Sequence, residues 1–284
     1  MVEIAICLAI IGIALVAIIG VLPLGINVQR DNREETLIDQ DASVLMENIR
    51  NGARGLDDLT NYVYAITNFQ TLYNPNPNPT VLIGYTNGPA GFLINGENII
   101  GLLSTPEYTD LNFNPTNNLF SGGYSNYVVA YVRSLSGSAV EKPPQDNDII
   151  RSDSFSYKLI CQNVPEAVNT PPNWQAQSYN AGAEVLFNGI SWRAIIGGTP
   201  LLPPQSGDDP TNNSGRWVQD SYIQQLTANL RELRLTFLWP LLPNGGTGQG
   251  RQTFRTAVAG QIIQIVTNGQ SLYFFQPQSF TNAP

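Results

Sequence analysis

Between Ile4 and Leu22 the chain carries 19 consecutive uncharged residues, nearly all aliphatic, and a single carboxylate, Glu3, stands immediately before them. As a helix this segment spans roughly 28 Å, close to the hydrocarbon thickness of a bilayer. It is made for lipid or for surroundings equally dry. A cleavable secretory signal opens with Lys or Arg, has an apolar core of about 7 to 15 residues and closes on small residues. This segment has no basic start and a longer core. A plain membrane anchor accounts for the length but leaves the acid unexplained, because an ionised carboxylate in hydrocarbon is costly without a partner.

The order of residues supplies a third reading. Val2-Glu3-Ile4 is followed by a Gly nine residues after the Glu, Gly12, and later by a helix-disturbing proline, Pro23. In this order the stretch resembles the N-terminal helix of type IV pilins and type II secretion pseudopilins. The resemblance implies that Glu3 neutralises the terminal amine of a neighbouring subunit, which is the partner the acid lacks. It also implies a long helix packed on an antiparallel sheet, and assembly into a filament. Glu3 stands nearer the start than the family's Glu, and Pro23 comes later than the family's Pro.

Beyond the apolar segment, Gly20, Pro23 and Gly25 mark a weak point, since Pro removes a backbone donor and Gly lowers helix propensity. Leu37, Ile38, Val44, Leu45 and Ile49 then recur at helical spacing among polar residues, which predicts an amphipathic second half ending near Gly52 and Gly55. Asn32 and Glu35 are placed to form a capping box if the helix restarts there. The run LDDLTNYVYAITNFQTLY suggests one more helix before Pro75, Pro77 and Pro79 enforce extended backbone.

From there the signals are for strands. VLIGY, GFLINGENIIGLL, NYVVAYVRSL, DSFSYKLICQNV, LRELRLTFLWPL, RQTFRTAVAG, IIQIVT and SLYFFQ are rich in β-branched and aromatic residues and bounded by Gly, Pro and Asn. Phe155, Tyr157, Leu159 and Cys161 share one face of their strand, as do Leu233, Leu235, Phe237 and Trp239. These two strands and RQTFRTAVAG are expected to form an antiparallel set. The Gly-rich PNGGTGQG lacks the Gly-Lys-Ser/Thr of a phosphate loop and reads as a hairpin turn.

Composition removes most chemistry. The chain of 284 residues has no histidine, which excludes Ser-His-Asp and Cys-His nucleophiles, a His-based zinc site and a His proton shuttle. The adjacent acids Glu34-Glu35, Asp57-Asp58 and Asp208-Asp209 lie in polar stretches and read as solvated faces. No enzyme activity, metal site or cofactor is expected. A net charge of −8 offers no footprint for nucleic acid. Charged residues make up 13%, against roughly 25% in an average protein. Such a surface suits packing against copies of itself. Cys7 reads as a small apolar residue of the buried segment and Cys161 as a core position.

A second resemblance lies inside the strand-rich part. The order Trp174, Tyr179, Gly182, Val185, Gly189, Trp192, Ala194, Pro200 and Trp217 is similar to the small chitin- and cellulose-binding module appended to many chitinases. That resemblance implies aromatic core packing around Trp174 and Trp217. The sugar-stacking aromatics of the family are replaced here by Ile195, Ile196, Gly197 and Gly198. Surface decoration or subunit contact is therefore the expected use.

The expected fold class is α+β, with a pilin-like long N-terminal helix on an antiparallel sheet head and a small all-β inserted module. The divisions are 1–26, the membrane or filament-core helix; 27–60, its amphipathic second half; 61–168, the first part of the head; 169–220, the inserted module; and 221–284, the second part of the head. The expected function is a structural pilin or pseudopilin subunit, held in the inner membrane and then polymerised into an extracellular, cell-surface filament of identical subunits. The alternative is a minor pilin or adhesin that grips polysaccharide through the module. Glu3, Gly12, Gly20, Pro23 and Gly25 are the assembly residues, and Trp174, Tyr179, Gly182, Gly189, Trp192 and Trp217 the core of the module.

Overall fold

The computed structural model describes residues 2–72, 80–87, 93, 95–116, 123–136, 155–166, 171–175, 177–188, 190–196, 215–220 and 222–280. Its class is α+β: a long N-terminal helix packed on an antiparallel sheet, with two small sheets beside it.

Helix α1 runs from Val2 to Arg50 without interruption at Gly20, Pro23 or Gly25. It does not restart at Asn32, so no capping box forms there; instead Thr36 Oγ1 donates back to the Asn32 carbonyl at 2.8 Å within the continuous helix. Burial begins only in its last third. Ile38, Ala42, Leu45 and Ile49, at helical spacing, enter the core, whereas Val44 stays exposed and Leu37 half-buried. The stripe therefore lies slightly rotated from the one expected. The helix ends in a Schellman arrangement: Gly52 N donates to Ile49 O at 3.0 Å and Ala53 N to Asn48 O at 2.9 Å. Gly52 takes φ +56, and a Cβ there would run into the backbone carbonyl of Phe275.

A 3₁₀ turn at Asp57–Asn61 leads into β1 (Val63–Leu72), so the segment read as a further helix is mainly a strand. Pairing on both edges, with β2 (Thr80–Asn87) and β4 (Tyr124–Arg133), outweighs its weak helical pattern. The opposite correction applies to GFLINGENIIGLL. Its residues Gly96–Leu103 form helix α2, started by Asn95, whose side chain accepts from Asn98 N at 2.9 Å. Because α2 is buried nearly all round, it shows no polar face to reveal its period.

The main sheet runs β10-β9-β5-β4-β1-β2, where β5 is Ser156–Pro165, β9 Leu230–Leu241 and β10 Thr247–Ala259; the short β3 (Tyr108–Thr109) pairs with β4. The antiparallel set of β5, β9 and β10 is as expected, with Leu159 opposite Phe237 and Cys161 opposite Leu235. PNGGTGQG closes the β9–β10 hairpin, with Leu242 N donating to Gly246 O at 2.8 Å. One face of this sheet, carrying Ile66, Val128, Ala130, Leu159, Leu235 and Phe237, meets the buried stripe of α1, helix α2 and a hairpin of β11 (Gln261–Thr267) and β12 (Gln270–Gln276). Cys161 lies in this core, its thiol donating to Leu103 O at 2.9 Å.

Between β5 and β9 the chain leaves the sheet and returns to it. Pro165 and Arg231 are cross-strand partners, so the excursion begins and ends at neighbouring points. It contains a separate three-stranded antiparallel sheet, β6 (Glu184–Phe187), β7 (Ile190–Ala194) and β8 (Trp217–Gln219), and the short helix α3 (Tyr222–Asn229).

Candidate functional site

The free half of α1 is the feature for which the fold itself has no use. Its described residues from Val2 to Arg33 are exposed on every side of the helix, including Ile4, Ile6, Leu8, Ile10, Ile11 and Ile13. The apolar part of this exposed surface, Val2 to Ile26, marks a contact with lipid or protein. By length and composition the segment is able to cross a membrane. Glu3 lies in the first turn, where the positive end of the helix dipole favours a carboxylate. Around Gly12, Gly20 and Gly25 no other described residue comes within reach of a Cβ, so packing among the described residues does not require their small size. Pro23 continues the helix; Cys7 is exposed in the same segment, outside the core of the folded chain.

The anchoring half is fixed by polar contacts as well as by the apolar stripe. Asp41, on the core side between Ile38 and Leu45, is fully buried. Its Oδ2 accepts from Leu135 N at 2.9 Å and its Oδ1 from Ser136 N at 2.8 Å. Burial raises its pKa above the ordinary carboxylate value, and these hydrogen bonds only partly offset that. The Tyr157 hydroxyl faces the same carboxylate without forming a well-aligned hydrogen bond. Asp39 accepts from Gln252 of β10 at 3.0 Å, and the Arg54 guanidinium lies 4.6 Å from the ring centroid of Phe274. The sequence reading passed over Asp41. Its signal was its place three residues after Ile38 and four before Leu45, within the apolar stripe.

In the small sheet, Tyr179, Val185, Ala194 and Trp217 form a buried cluster, with Trp174 and Trp192 packed against it. The Tyr179 and Trp217 rings meet edge-on at 5.3 Å, and the Tyr179 hydroxyl both accepts from Gln175 N and donates to Gln175 O. Gly182, at φ +81, turns the chain before β6. Gly189 lies outside the described residues, as does Pro200. Ile195 is exposed.

The adjacent acids are separate from one another. Glu34 pairs with Arg30 at 2.8 Å, Glu35 is exposed, and Asp57 accepts from Gly96 N at 3.1 Å; Asp208 and Asp209 lie outside the described residues. Arg231, buried on the core face of β9, is lowered to about 10 by burial, while Glu107 nearby is raised for the same reason.

No family model, curated protein or solved structure matches the chain.

Proposed function

We propose that the protein is a structural subunit of a type IV pilus-like or pseudopilus filament. It waits in the inner membrane through the free half of α1 and then polymerises by packing that half against copies of itself at the cell surface. One observation carries the reading. A single continuous helix is packed into a folded head over its last third, and its described residues from Val2 to Ile26 expose an almost wholly apolar surface. Lipid and a bundle of identical helices are both apolar, so transfer between them changes little in hydrophobic terms. Register must then come from packing at Gly12, Gly20 and Gly25 and from pairing of Glu3, whose burial without a partner would be costly. Glu3→Ala is expected to stay in the membrane fraction and to lose most of its filament yield, assayed by shearing and sedimentation. Normal filament yield from this variant would overturn the pairing.

The adhesin alternative has less support. The large aromatics of the small sheet turn toward their own core, and Ile195 occupies the place where a stacking residue is needed.

A further inference from the structure

The core face of the main sheet changes character along β1 and β4. Ile66, Val128 and Ala130 are apolar and buried, whereas Asn68, Gln70 and Asn126 continue the same face. Together with the tip of the β11–β12 hairpin they line a cavity of about 310 Å³. This volume is at the small end of the range of roughly 300–1,000 Å³ typical of small-molecule sites, which limits the occupant to something the size of one or two rings.

The amides here are oriented by their surroundings. Asn126 Nδ2 donates to Pro106 O at 3.3 Å and to Thr109 Oγ1 at 3.1 Å, so its Oδ1 is the acceptor for Asn68 Nδ2 at 3.3 Å. Asn68, only 1% exposed, is left with an Oδ1 to which none of the described residues donates. On the hairpin, Gln270 Oε1 accepts from Asn87 Nδ2 at 3.4 Å, and its buried Nε2 has no acceptor among the described residues. The residues lining the cavity thus include, on its two sides, a buried acceptor and a buried donor that no described protein group satisfies. Buried polar groups are ordinarily satisfied by protein or by water, so these two are the groups of the cavity wall left to a water or to a ligand.

An aromatic ring is held at the same place. Phe113 has φ +63, a left-handed conformation costly for a bulky residue. It is kept there by Asp110, whose carboxylate accepts from Asn112 N and Asn114 N, both at 2.8 Å, and by Tyr273, whose hydroxyl donates to Phe113 O at 2.6 Å. The ring stacks on Tyr124 at 5.4 Å and remains 37% exposed. No side chain lining the cavity is charged. Burial raises the Tyr85 and Tyr273 phenols above their ordinary value, so both stay neutral.

We propose that this cavity binds a neutral sugar ring, whose hydroxyls satisfy Asn68 Oδ1 and Gln270 Nε2 while one carbon face lies against Phe113. An ionic ligand would find no counter-charge, and a purely apolar one would leave both amides unmade. The site belongs to the head. It uses neither the free half of α1 nor the aromatic cluster of residues 174–217, so it stands whether or not the chain forms filaments.

The test uses the full chain in a phosphocholine detergent, because glycoside detergents would compete. Saturation-transfer NMR is recorded with the methyl glycosides of glucose, galactose, mannose and N-acetylglucosamine, and with methyl glucuronide as the charged comparison. Transfer to at least one neutral sugar is expected. Its Kd should rise by about tenfold or more in Phe113→Gly and in Gln270→Leu. Glycine accepts the φ of position 113, so an unchanged melting curve for that variant shows that the ring and not the fold was lost. Absence of transfer to all four neutral sugars, preference for the glucuronide, or a Kd unchanged in both variants would each overturn the proposal.

Discussion

Asp41 is the residue whose chemistry reaches furthest into stability. Its raised pKa means that the folded state holds a proton more tightly than the unfolded chain, whose value is near 3.8. The group's contribution is therefore greatest below that pH and declines as pH rises through the native pKa. Against Asp41→Asn, the wild type should lose stability as pH rises above about 4, and denaturant titrations of the two proteins should converge at the acid end. Residues of this kind were the least legible in the sequence. Asn68, Asn126 and Gln270 are polar letters in β-rich runs, and only the folded register reveals that Asn68 and Asn126 face inward. Glu3 was legible because nothing polar surrounds it.

The elements were legible in proportion to how one-sided their surroundings are. Tyr157, Leu159 and Cys161 alternate with half-buried residues, so β5 announces itself, and the same holds for β9. Buried nearly all round, α2 gives no alternation between faces, and its Ile99-Ile100 pair suggested a strand. In β1 the aromatic and β-branched residues were present, but β4, which pairs with its other edge, is distant in sequence. The C-terminal end of α1 was foreseen from its glycines, and here conformation is decisive. Gly52→Ala must adopt a left-handed backbone and push against the carbonyl of Phe275. A loss of about 1–3 kcal/mol is expected, visible as a lower thermal midpoint, with α1 retained by circular dichroism.

Taken whole, the molecule has two parts with opposite requirements. The head buries a continuous core, whereas the free half of α1 buries nothing within the chain. Removing residues 1–28 should therefore leave the unfolding free energy of the head within about 0.5 kcal/mol, while abolishing partition into detergent micelles. A large loss of stability would show that the free helix supports the head after all. The same separation explains why the architecture could be read from sequence. A run of aliphatic residues with one acid fixes the helix, and the alternation beyond it fixes the sheet.

The excursion between β5 and β9 also bears on the order of events during synthesis. Once β5 has left the ribosome and paired with β4, its other edge has no partner until residues 230–241 have been made. An open strand edge in a nascent chain invites pairing with the wrong molecule. The core stripe of α1, made first, also waits for β9, made late, to cover it. Closure of the sheet is thus a late, long-range step, in the class of contacts that slow folding. A nascent chain held in a membrane by its first helix, as the proposed function has it, would be kept apart from its neighbours during that interval.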